Sequence, residues 1–289
     1  MGDPGTFLAL EYARSKPGKT LMRRVNPIRL LPLLLLALPC TALATELRIA
    51  VAANFHGTLQ NLAEVYEAHS GHTLRLSSGA SGALYAQIVN GAPFDLFLSA
   101  DRERPARLER DGHTVTGSRA TYAIGIPVLW SARQDRVDPA GEVLQTGDFR
   151  HLAIAEPRNA PYGAAAQQVL EALGVWTQLQ RERRLIRAQS IGQAYSQVAS
   201  GAAPLGFVAL AQLKSEGGAP AGSYWIPPAT LHDPIEQQAV ILRRAERDPQ
   251  TLAAAHAFID WLHGDTARRL IEAAGYRLPE GERPADAES

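Results

Sequence analysis

A single cysteine, Cys40, among 289 residues excludes an internal disulfide and any metal site built from several thiolates. No basic stripe of the kind that binds nucleic acid is present, because Lys and Arg total 29 against 29 Asp and Glu and do not cluster in the body of the chain. A divalent-cation site is equally unsupported. His69-Ser70-Gly71-His72 is the one close histidine pair, and no carboxylate cluster accompanies it. Gly79-Ala80-Ser81-Gly82-Ala83 lacks the final glycine of the G-x-S-x-G nucleophile elbow, and His56, His69, His72 and His113 fall on predicted helix surfaces or loops. The reading is therefore of a protein that is not an enzyme. Repeats, low-complexity tracts and long exposed apolar segments are also missing, and the last of these absences favours a monomer.

What is present begins with a leader. Met22-Arg23-Arg24 precedes an apolar run from Leu30 to Leu38 and then Ala42-Leu43-Ala44. This order of charged start, short apolar centre and A-x-A end predicts a secretory signal peptide over residues 1–44, cleaved after Ala44. Its start is Met1 or, with the earlier residues as an upstream extension, Met22. The apolar centre is too short to cross a bilayer. Cys40 lies inside the leader, and Pro39 before it is a poor residue for lipid attachment, so the exported chain is expected to have no thiol. Beyond residue 44 the chain holds 23 basic and 27 acidic side chains.

The exported part reads as α/β. Leu47 to Ala53 is a nearly continuous apolar segment, the pattern of a buried parallel strand, and Leu59, Leu62, Ala63 and Tyr66 give the next segment a helical face that ends near Gly71. Asn54 stands at this junction, where an N-cap role is the ordinary expectation. Thr73 to Ser78 predicts a second strand, and Ser81, between Gly79 and Gly82, opens a second helix. Leu96 to Leu98 follows as a third strand. Tyr122 to Trp130, broken by Gly125 and Pro127, suits a crossover between lobes. His151 to Ala155 then restarts the rhythm, Pro161-Tyr162-Gly163 opens a helix, and Ser190-Ile191-Gly192-Gln193 matches an S-x-x-Q capping box. Ile235 to Leu242 predicts the return crossover. Residues 45–124 and 235–289 thus form lobe I, and residues 125–234 form lobe II. Strand-to-helix junctions are where open α/β sheets bind ligands, and helix N-termini offer unpaired N–H groups to anions.

The run Gly91-Ala92-Pro93-Phe94-Asp95-Leu96-Phe97-Leu98-Ser99-Ala100-Asp101, after a Ser-rich turn and a helix, resembles the periplasmic molybdate-binding proteins of ABC transporters. The resemblance runs from about Leu47 to Pro279. It implies a two-lobed periplasmic binding protein fold of type II, with two crossover hinge segments and the ligand in the cleft between lobes. It also implies an oxyanion site at Asn54, Ser81, Tyr162 and Ile191, with Ala53 contributing through its backbone. Molybdenum would be held only as the oxyanion, without a cofactor. The family's terminal strand maps onto Gly275 to Pro279, and a tyrosine donor of some relatives maps onto Ala209, which has no hydroxyl. The implied partners are molybdate or tungstate and an inner-membrane ABC permease, and the implied location is the periplasm. A site made only of donors suits fully ionised molybdate and tungstate and rejects phosphate, which retains a proton that needs an acceptor. Sulfate or a small organic anion on the same scaffold is the alternative.

Overall fold

The computed structural model describes residues 44–214 and 221–279. The expectations for the leader up to Leu43, Cys40 included, and for the residues after Pro279 lie outside the described residues.

Among the described residues, ten strands form two five-stranded sheets. The first has the order β2-β1-β3-β10-β4 and consists of β1 (Glu46–Ala52), β2 (Thr73–Gly79), β3 (Leu96–Leu98), β4 (Ala120–Gly125) and β10 (Ile235–Ile241). The second has the order β7-β6-β8-β5-β9 and consists of β5 (Pro127–Ser131), β6 (Leu152–Ala155), β7 (Leu185–Ala188), β8 (Leu205–Ala209) and β9 (Ser223–Trp225). In each sheet two parallel neighbours flank the strand that opens the pattern, and one strand runs antiparallel beside them. Gly125-Ile126-Pro127 carries the chain from the first sheet to the second, and β10 brings it back.

Among the described residues, ten α-helices cover the faces: α1 (His56–Ser70), α2 (Ser81–Val89), α3 (Glu103–Arg110), α4 (Val143–Thr146), α5 (Pro161–Ala172), α6 (Trp176–Arg181), α7 (Ile191–Ala199), α8 (Leu210–Lys214), α9 (Pro249–Leu262) and α10 (Asp265–Ala273). Because parallel strands are covered on both faces, each sheet has two apolar layers. Leu47, Ile49, Val51, Leu59, Phe258 and Ile271 pack on one side of the first sheet, and Leu84, Ile88, Phe97 and Val240 on the other. Burial of each of the larger side chains is worth about 1.5–3 kcal/mol. The second sheet repeats the plan with Leu152, Ile154, Val169 and Phe207 on one face and Val128, Ala153, Val198 and Val208 on the other.

Two local expectations need correction. Asn54 is not a helix cap: α1 starts at His56, with Phe55 in the cap position and no side-chain cap bond. Gly275 to Pro279 is not a strand. It meets β4 at one antiparallel bridge, Ile124 with Arg277, where each N–H donates to the other's carbonyl at 2.7 and 3.0 Å. β4 ends one residue later at Gly125, and Pro279 has no N–H to extend a ladder.

Candidate functional site

Where the two sheets face each other, the packing is made almost entirely of alanine. Ala52, Ala80, Ala100, Ala155, Ala160, Ala165, Ala188, Ala194 and Ala209 form one buried cluster with Tyr162, Ile191 and Ile235. Small side chains let the backbone at the strand ends approach the middle of the cleft. A cavity at this place is lined by Ala52, Ala53, Asn54, Gly79, Ala80, Ser81, Ala100, Ala160, Pro161, Tyr162 and Ile191. All five residues singled out from the sequence therefore meet at one point. The cavity is small, with about 10 Å³ free to the centres of oxygen-sized atoms, too little for a sugar or a peptide. Among the described residues, no charged side chain lines it.

The donors come from strand-to-helix junctions, two in each lobe. Asn54 follows β1, and Ser81 is the first residue of α2 after β2. Tyr162 is the second residue of α5, behind Pro161, and Ile191 is the first of α7. The backbone N–H groups of these four residues have no hydrogen-bond partner among the described residues. Their residues are 1–4% exposed. All four residues line the cavity, and N–H groups at helix starts that have no partner within the helix are available to an acceptor placed there. The position of Ala53 differs from expectation: its N–H already donates to the Gly79 carbonyl at 2.9 Å, so it lines the cavity without a free backbone donor.

Ser81 adds a side-chain donor. Its Oγ accepts the Ala100 N–H at 2.9 Å, which fixes the hydroxyl and leaves its proton to give. The next residue, Gly82, donates its N–H to the Asn159 carbonyl of the opposite lobe at 2.9 Å, so that N–H serves the closure of the lobes. A Cβ at Gly82 would lie 3.0 Å from Asn159 Cα and O, tighter than an ordinary contact, so glycine lets the two chains approach here. Beside it Arg104, paired with Asp101, donates from Nη2 to the Arg158 carbonyl across the cleft at 2.8 Å.

At α7 the cap works as its sequence implies, with one difference. Ser190 Oγ accepts the Gln193 N–H at 3.2 Å, but Gln193 Oε1 reaches back to the N–H of Gln189 at 2.6 Å, one residue before the cap. Ile191 and Gly192 keep their N–H groups unpaired among the described residues.

Sequence reasoning missed a polar hub beneath the cavity. Asn54 Nδ2 donates to Gln237 Oε1 at 2.8 Å and to Tyr276 Oη at 3.2 Å, and Tyr276 Oη donates to the Asn54 carbonyl at 2.8 Å. Tyr122 Oη lies 3.2 Å from both the Ser99 carbonyl and Gln237 Oε1. Gln237 is fully buried on β10, at a bulge where the pairing with β4 slips between Gln237 and Gln238. A bulge re-aims side chains, and here it directs Gln237 into the hub while Gln238 bonds Thr121. Two adjacent glutamines after Glu236, between apolar residues on either side, were the available signal. Tyr162 reaches the same place from the other lobe: a Cβ on Gly125 would collide with its hydroxyl and lie 3.0 Å from Gln237 Nε2. Burial pushes the Tyr162 phenol well above its ordinary pKa, with Tyr276 and Tyr122 adding to the effect and the Gln237 and Asn54 amides opposing it. Ala209, fully buried in the alanine cluster, supplies no hydroxyl.

Residues 47–277 match the family of bacterial extracellular solute-binding proteins. The molybdate-binding protein ModA of Azotobacter vinelandii is 47% identical over 83% of this chain and 93% of its own length. ModA of Rhodobacter capsulatus is 46% identical over 83% of this chain and 91% of its own. The solved structure of the periplasmic molybdate-binding protein of Azotobacter vinelandii superposes with a TM-score of 0.77 at 49% identity, covering 81% of this chain and all of that one. With the match to the family extending over both sheets and the cavity between them, the chain belongs to the bacterial extracellular solute-binding proteins and groups within them with the molybdate-binding proteins.

Proposed function

We propose that this chain binds molybdate between its two lobes and delivers it to an ABC permease. The observation that carries this is the set of four buried, unpaired N–H groups and one fixed hydroxyl around a cavity with no charged lining. Each hydrogen bond to a charged partner is worth about 1.5–3 kcal/mol, and binding in the micromolar to nanomolar range needs only about 8–12 kcal/mol. Five neutral donors are enough, with the N-termini of α2, α5 and α7 adding partial positive charge. In this reading Asn54, Ser81, Tyr162 and Ile191 contact the oxyanion. Tyr162 acts through its N–H, while its phenol lies at Gly125 beside the hub. No step of covalent chemistry is assigned to the site.

Tungstate, a tetrahedral ion of nearly the same shape, is bound as well. Phosphate is refused for want of an acceptor, and sulfate by the fit of the donors to a larger ion. Residues 45–124 and 235–289 move as one lobe and 125–234 as the other, and the closed form is what the permease receives. The leader directs export to the periplasm with cleavage after Ala44, and the exported protein is a monomer.

Titration calorimetry of Thr45 to Ser289 with molybdate, tungstate, sulfate and phosphate tests this. One-to-one binding of the first two is expected, and Ser81→Ala weakens it by about 10- to 100-fold. Preference for sulfate or phosphate would refute the specificity, and an unaltered affinity in Ser81→Ala would remove the hydroxyl from the site.

A further inference from the structure

The segment Asn159 to Tyr162 of lobe II, whose last three residues line the cavity, is met at both ends by a glycine from the side of the first sheet. At one end is Gly82, where a Cβ would lie 3.0 Å from Asn159. At the other is Gly125, the last residue of β4, where a Cβ would lie 2.3 Å from Tyr162 Oη and 2.8 Å from Tyr162 Cζ. Packed atoms do not approach so closely, so the Tyr162 ring occupies the place where a side chain at position 125 would stand. The φ of Gly125 is not positive, and the backbone therefore does not call for glycine there. The ring does.

Gly125 is buried and pairs with Ile235 of β10, which packs in the same alanine-rich cluster as Tyr162. Tyr162 is 1% exposed, and its hydroxyl has no hydrogen-bond partner among the described residues, so the oxygen acts here by contact and not by a bond. Interiors are close-packed and transmit displacement, and a rigid ring buried to its tip cannot absorb it by turning aside. The residue thus spans two places. Its N–H belongs to the start of α5 at the cavity, and the tip of its ring stands on the strand from which the chain crosses to the second sheet. The spacing between a donor of lobe II and the crossover is therefore set by the length of one side chain.

We propose that Gly125 is a positioning residue that sets ion selectivity: its bare α-carbon seats the Tyr162 ring, and the ring, wedged between β4 and the start of α5, is the stop that fixes how far the lobes close on the oxyanion. Gly125 touches no ligand and acts through Tyr162. A stop of this kind selects by size, because donors held at the spacing of molybdate cannot draw in on sulfate, the smaller ion. This rests on molybdate being the ligand.

The test is Gly125→Ala, Tyr162→Ala and the double variant, with Tyr162→Phe beside them, each titrated with molybdate and with sulfate by calorimetry and melted without ligand. Gly125→Ala pushes the ring off β4 and α5 with it, and molybdate affinity is expected to fall about 10- to 100-fold. With the ring gone, the same methyl group meets only the flexible end of Gln237, at 3.0 Å. The double variant should then bind as Tyr162→Ala does, within about twofold. Tyr162→Phe removes only the tip of the stop and gives the lobes slack, so the preference for molybdate over sulfate falls about tenfold. A role in folding alone would lower the melting temperature and leave that preference where it was. Tyr162→Phe also decides the matter if Gly125→Ala does not fold. Equal losses from Gly125→Ala with and without the ring, or an unchanged preference in Tyr162→Phe, overturns the proposal. If the wild-type protein itself takes up no molybdate, the ligand assignment fails and the proposal with it, an outcome distinct from binding that ignores these substitutions.

Discussion

The two lobes share one plan and use it differently. Both sheets have the same order of strands, and each lobe ends two of its parallel strands at the cleft. Lobe I supplies side-chain chemistry there: the Ser81 hydroxyl held by Ala100, and an Asn54 amide held by Gln237 and Tyr276. Lobe II supplies backbone. Ile191 offers an N–H at the start of a capped helix, and Tyr162 offers an N–H while its phenol reaches towards lobe I. The polar hub thus lies under the donors of one lobe, and the donors of the other stand at helix starts. A repeated fold therefore does not repeat a site, because the residue at each strand end decides whether the chain or the side chain is the donor.

The sharpest way to break this contrast is to delete a backbone donor in lobe II without disturbing its helix. Ile191 is the first residue of α7, where proline is tolerated, and Ser190 before it is already extended at φ −146°, ψ 166°, as a residue preceding proline must be. Ile191→Pro should therefore keep the helix and lose one N–H. Molybdate affinity is expected to fall about 10- to 100-fold, with Ile191→Val as the control for packing, and calorimetry decides. Equal affinity in both variants would mean that lobe II does not donate at this point.

A smaller effect is expected from alkali, and it belongs to the hub. Burial raises the phenols of Tyr122, Tyr162 and Tyr276 above the ordinary tyrosine value. A phenol whose folded pKa exceeds its unfolded one stabilises the fold fully below the unfolded pKa, about 10, and this contribution is lost as pH rises above it. Thermal unfolding between pH 8 and 11 should show a melting temperature that holds to about pH 10 and then declines. Tyr122→Phe should reduce the slope. A decline already complete by pH 9 would place its cause elsewhere.

The smallest expected effect lies at the rim. Arg104 bridges the lobes by one bond to the Arg158 carbonyl and is about one-fifth exposed. Arg104→Met should speed molybdate release a few-fold and leave the association rate nearly unchanged, measurable by stopped-flow fluorescence. A change confined to association would assign Arg104 to steering instead of closure.

Much of the fold was legible because its strands are apolar on both faces. Leu96 to Leu98 forms a strand at the bounds expected from its sequence, and the break at Gly125-Ile126-Pro127 is where the chain changes sheets. The cavity-lining positions were legible for a narrower reason: four of them stand at strand-to-helix junctions, and junctions are marked by Gly, Ser and Pro. What was not legible depends on contacts between residues far apart in sequence. Nothing near Ala53 says that its N–H is taken by Gly79, and nothing near Asn54 says that its amide meets Gln237, 183 residues on. The bulge that aims Gln237 inward is a matter of register between β10 and β4, which neither strand specifies alone.

The alanine cluster at the cleft has a consequence for how such a protein can change over generations. A methyl group is nearly the smallest side chain available, so almost every codon change at Ala52, Ala80, Ala100, Ala160 or Ala188 enlarges the residue and intrudes on the cleft. Glycine apart, substitutions here run towards a smaller hole. A new preference for a bigger ion has little to gain by carving, since one methyl group is all that each position can give up. It has to come from shifts in how far the two lobes close, which places the inheritable control of selectivity in the hinge and not in the wall of the site.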